Sequence, residues 1–199
     1  MPVDGAAPRS AMTLPDGQEE RPIMPLLAAK HAMLVVIDFQ AKLMPAIHDG
    51  EAILLNAGRL AEAARLLGVP AVLTEQYPRG LGPTVPALAG VAPAVTKMSF
   101  DACAEPAFLD TVAGDRELVI CGCEAHVCVG QTVLSLLEHR RRVAVVADAI
   151  GSRAPESREL AIRRMAGHGA EVVTTEMVLF EWLRSAEHPQ FRTISKLIR

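Results

Sequence analysis

Six short apolar runs, separated by segments of helical periodicity, constrain this chain more than any other feature. MLVVIDF (33–39), PAVLTEQ (70–76), APAVTK (92–97), RELVICGC (116–123), RVAVVADAIG (142–151) and AEVVTT (170–175) are of strand length and favour β-branched residues. Between them, EAILLNAGRLAEAARLLG (51–68) repeats apolar residues at helical spacing and closes on Gly68, a natural helix C-cap. Residues 105–114, 127–140 and 155–169 also read as helices, the last with Pro155 placed for the first helical position. Residues 176–184 and 188–199 are expected to be helices too, the second short and amphipathic. YPRGLGPTVPALAG (77–90) reads as a loop. Strands alternating with helices imply an α/β fold, with three layers around a doubly wound, mostly parallel six-stranded sheet of Rossmann-like kind.

A chain of 199 residues suits one domain. The expected division is a mobile arm over residues 1–28, rich in Pro, Gly, Ala and charge, and a single domain over 29–199. Half the residues are hydrophobic, which excludes a wholly disordered chain. One Trp, one Tyr and five Phe argue against a stacking platform for single-stranded nucleic acid, and a net charge of −3 against a phosphate-driven DNA binder. No apolar run reaches the ~18–20 residues of a membrane span, and the N-terminus lacks the apolar core of a secretory signal. The expected location is therefore cytoplasmic, with no membrane or nucleic-acid partner and with the four cysteines as reduced thiols.

In open α/β sheets, ligands bind outside the carboxyl ends of the strands, at the point where strand order reverses. Residues just after strands therefore carry the functional information. Asp38 ends the first strand, Lys97 the third, and the fourth runs into Glu124, His126 and Cys128 with a helix following at once. In the usual doubly wound order the first and fourth strands flank the switch point, so Asp38 and Cys128 become neighbours, and Lys97 has the stem to reach them. A thiol at a helix N-terminus beside a lysine is expected to favour its anion. An aspartate there can take the thiol proton and return it to a leaving group. The N–H of Cys128, in a first helical turn, is available to an oxyanion. Each residue also has a plainer reading: a buried packing thiol, a turn-capping aspartate, a solvated lysine.

Taken together, LVVIDFQ, TEQYPRGLGPTVPAL, KMSF, ICGCEAHVCV and VADAIGSR resemble the isochorismatase-like cysteine hydrolases, over about Met33 to the C-terminus. TEQYPRGLGPTVPAL and HPQFRTISKLIR are most similar to the subgroup of isochorismatase-domain-containing proteins. The resemblance implies an Asp–Lys–Cys triad at Asp38, Lys97 and Cys128. It also implies a cis peptide between Cys123 and Glu124, and an oxyanion hole from the N–H groups of Glu124 and Cys128. Gln40, Tyr77 and Phe100 fall where relatives line the pocket. Two positions depart from the pattern: Asp101, where relatives often have serine, and Glu124, larger than the alanine of nicotinamidase-type members.

The family is implied to be cofactor-free in this branch and to assemble as a homo-oligomer, with the apolar C-terminal helices as a source of interface. No metal is expected. The spacing C-x-C-x2-H-x-C over residues 121–128 matches no common zinc pattern, and the stretch after the second strand lacks the aspartate and histidines of the metal-binding nicotinamidase branch. No glycine-rich phosphate loop opens a helix. The expected function is hydrolysis of a small amide or related carbonyl compound through a Cys128 thioester. The alternative is a non-catalytic scaffold that keeps the fold.

Overall fold

All six apolar runs form strands. A computed structural model describes residues 26–198, with β1 (Ala32–Ile37), β2 (Ala71–Gln76), β3 (Ala94–Lys97), β4 (Glu117–Cys123), β5 (Val143–Gly151) and β6 (Glu171–Val173). The helices are α1 (Gly50–Leu67), α2 (Pro78–Leu81), α3 (Pro106–Thr111), α4 (Gly130–Glu138), α5 (Pro155–Gly167), α6 (Thr175–Leu183) and α7 (Phe191–Ile194). The sheet order is β3-β2-β1-β4-β5-β6 and every neighbouring pair is parallel. The order reverses between β1 and β4, which places the switch point where Asp38 and Cys128 leave the sheet.

Every residue of β1 and β4 is buried, because helices cover both faces. Leu34, Val36, Val119, Cys121 and Cys123 face α1 and α6, packing with Ile53, Leu60, Leu179 and Trp182. Val35, Ile37 and Ile120 face the other way, packing with Phe108 of α3, Val133 and Leu136 of α4 and Met165 of α5. Each fully buried aliphatic side chain of this kind contributes about 1.5–3 kcal/mol. Cys128 belongs to this second layer, so Cys121 and Cys123 lie across the sheet from it.

Gly122 shows how closely β4 approaches β1. Its φ is 153°, and a Cβ there would lie 2.5 Å from the carbonyl oxygen of Ile37. The β4–β5 register shifts between Ile120 and Gly122, then resumes with Gly122 opposite Ile150 and Cys123 opposite Gly151.

Some boundaries differ from expectation. Gly68 does cap α1 in the left-handed conformation, and Pro155 does begin α5. The helix expected over 127–140 is instead a π-helical turn, Ala125–Val129, continuing into α4. The loop at 77–90 contains the one-turn helix α2, and among the described residues of 188–199 the only α-helical segment is α7. Leu27 and Ala28, assigned to the arm, are buried: the Leu27 N–H donates to Glu181 Oε2 at 2.7 Å, and Arg184 holds the carbonyls of Leu26 and Leu27. Residues 1–25 of that arm lie outside the described residues.

Candidate active site

The chain turns sharply at the end of β1, with Asp38 at φ 52° and wholly buried. Lys97 is the last residue of β3 and pairs in register with Gln76 at the end of β2. Its side chain crosses the end of β2 toward β1. Lys97 Nζ donates to Asp38 Oδ2 at 2.7 Å, to Gln76 Oε1 at 2.9 Å and to the Phe100 carbonyl at 3.2 Å. The other carboxylate oxygen, Oδ1, accepts the Thr74 hydroxyl at 2.6 Å. Neither Asp38 nor Lys97 exposes any side-chain surface. A buried ammonium is tolerable only when its donors are all used and its charge is balanced, and both conditions are met here.

Cys128 sits in the π-helical turn, 6% exposed, with its thiol near enough to Asp38 and Lys97 for both charges to act on it. Burial pushes that thiol up to about 12, the Asp38 charge adds to the rise, and Lys97 opposes it. The expectation that helix end and lysine yield a resting thiolate is therefore corrected: desolvation outweighs both. Burial likewise drives Cys103 and Cys121 up to about 12, and Cys123 higher still. Acidity does not single out Cys128; its aspartate and lysine neighbours do.

The Cys123–Glu124 peptide is cis, as the resemblance implied. The Glu124 carbonyl accepts the N–H groups of Val127 and Val129 at 3.0 and 3.2 Å, closing the turn that carries Cys128. Its carboxylate accepts the backbone N–H and Nε of Arg153, each at 3.0 Å.

The three residues assigned to the pocket behave differently from one another. Tyr77 and Phe100 are about half exposed at the carboxyl edge of the sheet, and the Tyr77 ring lies against Gly80 so closely that a Cβ there would collide with it. Gln40 has no exposed surface and is not a wall of the pocket. Its amide donates to the carbonyls of Gln76 and Gly82 and accepts the Gln76 N–H, tying loop 77–82 to β1 and β2. Asp101 caps the turn Ala102–Ala104 and takes the Ser135 hydroxyl at 2.5 Å, joining that loop to α4. Asp148 of β5 accepts the N–H and hydroxyl of Thr175 at the start of α6.

Sequence reasoning missed Thr74, Gln76 and Arg153. Thr74 and Gln76 were findable, since residues two apart on a strand share a face and β2 lies beside the strand ending in Asp38. Arg153 required the β4–β5 register. Among the described residues no three His, Cys, Asp or Glu side chains gather as a metal site.

The family model for the isochorismatase domain matches residues 32–177. Isochorismatase domain-containing protein 2 of Danio rerio is 40% identical over 176 residues, covering 86% of this chain and 89% of that protein. Among solved structures, MAR1 ribonuclease from Caenorhabditis elegans is similar at 37% identity and TM-score 0.83, covering 87% of this chain and 92% of that one. YcaC from Pseudomonas aeruginosa, with hexane-2,5-diol and covalent acrylamide, is similar at 28% identity and TM-score 0.78 over 88% and 96% of the two chains. The Escherichia coli YcaC product, an octameric hydrolase of unknown specificity, is similar at 26% identity and TM-score 0.76 over 88% and 97%. A match running from the first residue of β1 into α6, with relatives aligned over most of their own length, makes this chain a member of the isochorismatase family.

Proposed function

We propose that this protein is a cofactor-free cysteine hydrolase of small amides or related carbonyl compounds, with Cys128 as nucleophile, Asp38 as base and Lys97 as the charge that supports both. The observation that carries this reading is the solvent-shielded Asp38–Lys97 pair with the Cys128 thiol against it, at the switch point of the sheet. Because the thiol is protonated at rest, attack and deprotonation are coupled. As Sγ bonds to the carbonyl carbon, its proton passes to Asp38, and the carbonyl oxygen takes the negative charge. The N–H groups of Glu124 and Cys128 are the proposed donors to that oxygen. The C–N bond then breaks, the departing amine takes the proton from Asp38, and a thioester remains. Water gives its proton to Asp38 as it attacks the thioester; the C–S bond breaks, acid leaves, and the sulfur recovers the proton. Lys97 stays charged throughout.

The Pseudomonas YcaC structure with covalent acrylamide supports a nucleophile in this fold that meets a small amide. The test is a screen of small amides and hydroxamates against wild type and Cys128→Ala, with mass-spectrometric trapping of a thioester in a single turnover. A thioester on Cys128 and loss of turnover in the alanine variant are expected. Absence of any adduct across the screen would favour the scaffold reading.

The relative called a ribonuclease supplies a second reading, RNA hydrolysis. The net charge of −3 and the scarcity of aromatic residues weigh against it. Metal-free cleavage of a labelled RNA, abolished in Cys128→Ala, would favour it. We further propose a cytoplasmic homo-oligomer with no nucleic-acid or membrane partner. The octameric relative supports assembly, and α6 presents Met177 and Phe180, 44% and 40% exposed, as apolar contact surface. No helix among the described residues is long and apolar enough to cross a membrane.

A further inference from the structure

Glu124 is held by its carbonyl and by its side chain, but not by its amide. Its carbonyl accepts the N–H groups of Val127 and Val129 at 3.0 and 3.2 Å. Its Oε2 accepts the backbone N–H and Nε of Arg153, each at 3.0 Å. Its own N–H has no acceptor among the described residues, although the residue is only 7% exposed. A nearly buried donor left open is unfavourable for folding alone, and an incoming ligand atom would satisfy it.

The side chain governs where that donor points. Glu124 directly follows β4, and Cys123 lies opposite Gly151, so the chain leaving β5 runs beside the turn that carries Cys128. Two links join them: Glu124 Oε2 accepts the N–H of Arg153, and His126 Nδ1 lies 2.9 Å from Ser152 Oγ. The Ser152 carbonyl in turn accepts the His48 N–H at 3.1 Å, so the far end of both links is itself fixed. The two donors to Oε2 are unequal. The backbone N–H cannot leave without moving the chain, whereas the Arg153 side chain is 65% exposed and water weakens its ion pair. The carboxylate side chain is 9% exposed, so little water competes for it.

We propose that the Glu124 carboxylate is a positioning residue for amide hydrolysis: by holding the backbone at Arg153 it aims the open Glu124 N–H at the oxygen that gains charge when Cys128 attacks. The inference rests on the hydrolase reading above. That charge exists only after attack, so a well-aimed donor raises kcat and leaves ground-state binding alone. The aim depends on the length of the side chain and on an acceptor at its end. A glutamine has the same length and one oxygen with two lone pairs, so it keeps the aim; an aspartate is too short.

The test compares Glu124→Ala, Glu124→Asp, Glu124→Gln and Arg153→Gln on the amide that wild type turns over fastest. Glu124→Ala and Glu124→Asp should lose about a hundredfold in kcat, with KM within about threefold of wild type. Glu124→Gln should stay within about tenfold of wild type in kcat, and Arg153→Gln, which keeps the backbone N–H, within about threefold. Glu124→Asp carries the comparison if the alanine variant does not fold. Propanal supplies a second readout that needs no turnover. The Cys128 thiol adds across its C=O, a C–S bond forms, the proton passes to the oxygen, and this reversible capture protects Cys128 from iodoacetamide. Protection should weaken across the variants in the same order as kcat. A rise in KM in place of the fall in kcat, or a Glu124→Gln as impaired as Glu124→Asp, overturns the inference. Amide turnover by wild type, with kcat and protection unchanged in Glu124→Asp, overturns it and leaves the hydrolase standing. Protection that weakens in the expected order, without turnover of any amide by wild type, keeps the positioning role and removes the hydrolase.

Discussion

The Thr74 hydroxyl donates to one oxygen of Asp38 at 2.6 Å, leaving the other to Lys97 at 2.7 Å. β1 supplies the carboxylate, while the two strands beyond it supply the groups that hold it. Such a carboxylate cannot rotate away from its ammonium, and the ammonium has no water to turn to.

Removing one half of that pair should be costly. Asp38→Asn leaves a charged Lys97 in a dry site, and breaking a buried pair in this way costs about 3–5 kcal/mol. The expected result is a chain that still folds, with a much lower denaturation midpoint and no turnover. Asp38→Asn combined with Lys97→Met removes both charges and should regain most of the stability but none of the activity. Denaturant titrations of the three proteins, run beside an amide assay, decide it. An Asp38→Asn protein as stable as wild type would sink this account of the pair.

The fold and the heart of the site were legible because they depend on local pattern. β-branched runs and helical periodicity were enough to find the six strands, and Asp38, Lys97 and Cys128 stand at strand exits, where such sheets bind ligands. What stayed hidden depends on distant geometry. Gln40 looked like a pocket residue until loop 77–82 came back over it. Arg153 meets Glu124 only through the β4–β5 register, which shifts between Ile120 and Gly122. The protonation of Cys128 was misjudged because a helix end and a lysine are visible in sequence, whereas the depth of burial that outweighs them is not.

The raised thiols predict a stability that declines in alkali. Cys128, Cys103 and Cys121 are pushed up to about 12 by burial, against about 8.5 for a free thiol. Below that lower value each is protonated in both states and stability is unaffected. As pH rises above it the unfolded chain loses protons first, so stability falls by about 1.4 kcal/mol per pH unit per thiol up to the folded value. Denaturation midpoints measured from pH 7 to pH 10 should be level and then drop, with a shallower drop in Cys121→Ser. A curve level to pH 10 would contradict the burial of these thiols.

Alkylation should separate Cys128 from the rest. Cys121 and Cys123 have no exposed surface, while Cys103 and Cys128 are 8% and 6% exposed. Access is therefore equal for the last two, and only Cys128 has a lysine-supported aspartate to receive its proton. Limiting iodoacetamide at neutral pH should modify Cys128 first, and Asp38→Asn should slow that modification. Peptide mapping that found Cys103 labelled ahead of Cys128 would move the nucleophile elsewhere.

Turnover should be indifferent to chelators. The stretch 74–88, from the end of β2 onward, contains one carboxylate, Glu75, and its Oε1 already accepts the N–H and hydroxyl of Thr84 at 2.7 and 2.8 Å. A catalytic zinc site takes about three protein ligands, and Glu75 is occupied in holding the loop. Elemental analysis of the purified protein, with amide hydrolysis followed before and after chelation, is the check. Stoichiometric zinc, or activity lost to a chelator and restored by metal, would place the chain with the metal-dependent branch.

Gln40 should matter to catalysis without touching substrate. Its amide fixes Gln76 through both backbone groups, and the Gln76 side chain in turn accepts from Lys97 at 2.9 Å. It also holds Gly82, so one side chain links the loop carrying Tyr77 to the residue that steadies the lysine. Gln40→Ala leaves the Gln76 N–H and the Gln76 and Gly82 carbonyls without this partner, at about 1–3 kcal/mol for each that stays buried and unpaired. Gln40→Glu keeps the acceptor but turns a carboxylate oxygen toward two carbonyls, so it should cost at least as much. Both variants should lower the denaturation midpoint, speed hydrogen exchange at residues 76–82 and raise KM more than they lower kcat. Unchanged exchange at 76–82 in Gln40→Ala would show that the loop is held by other contacts.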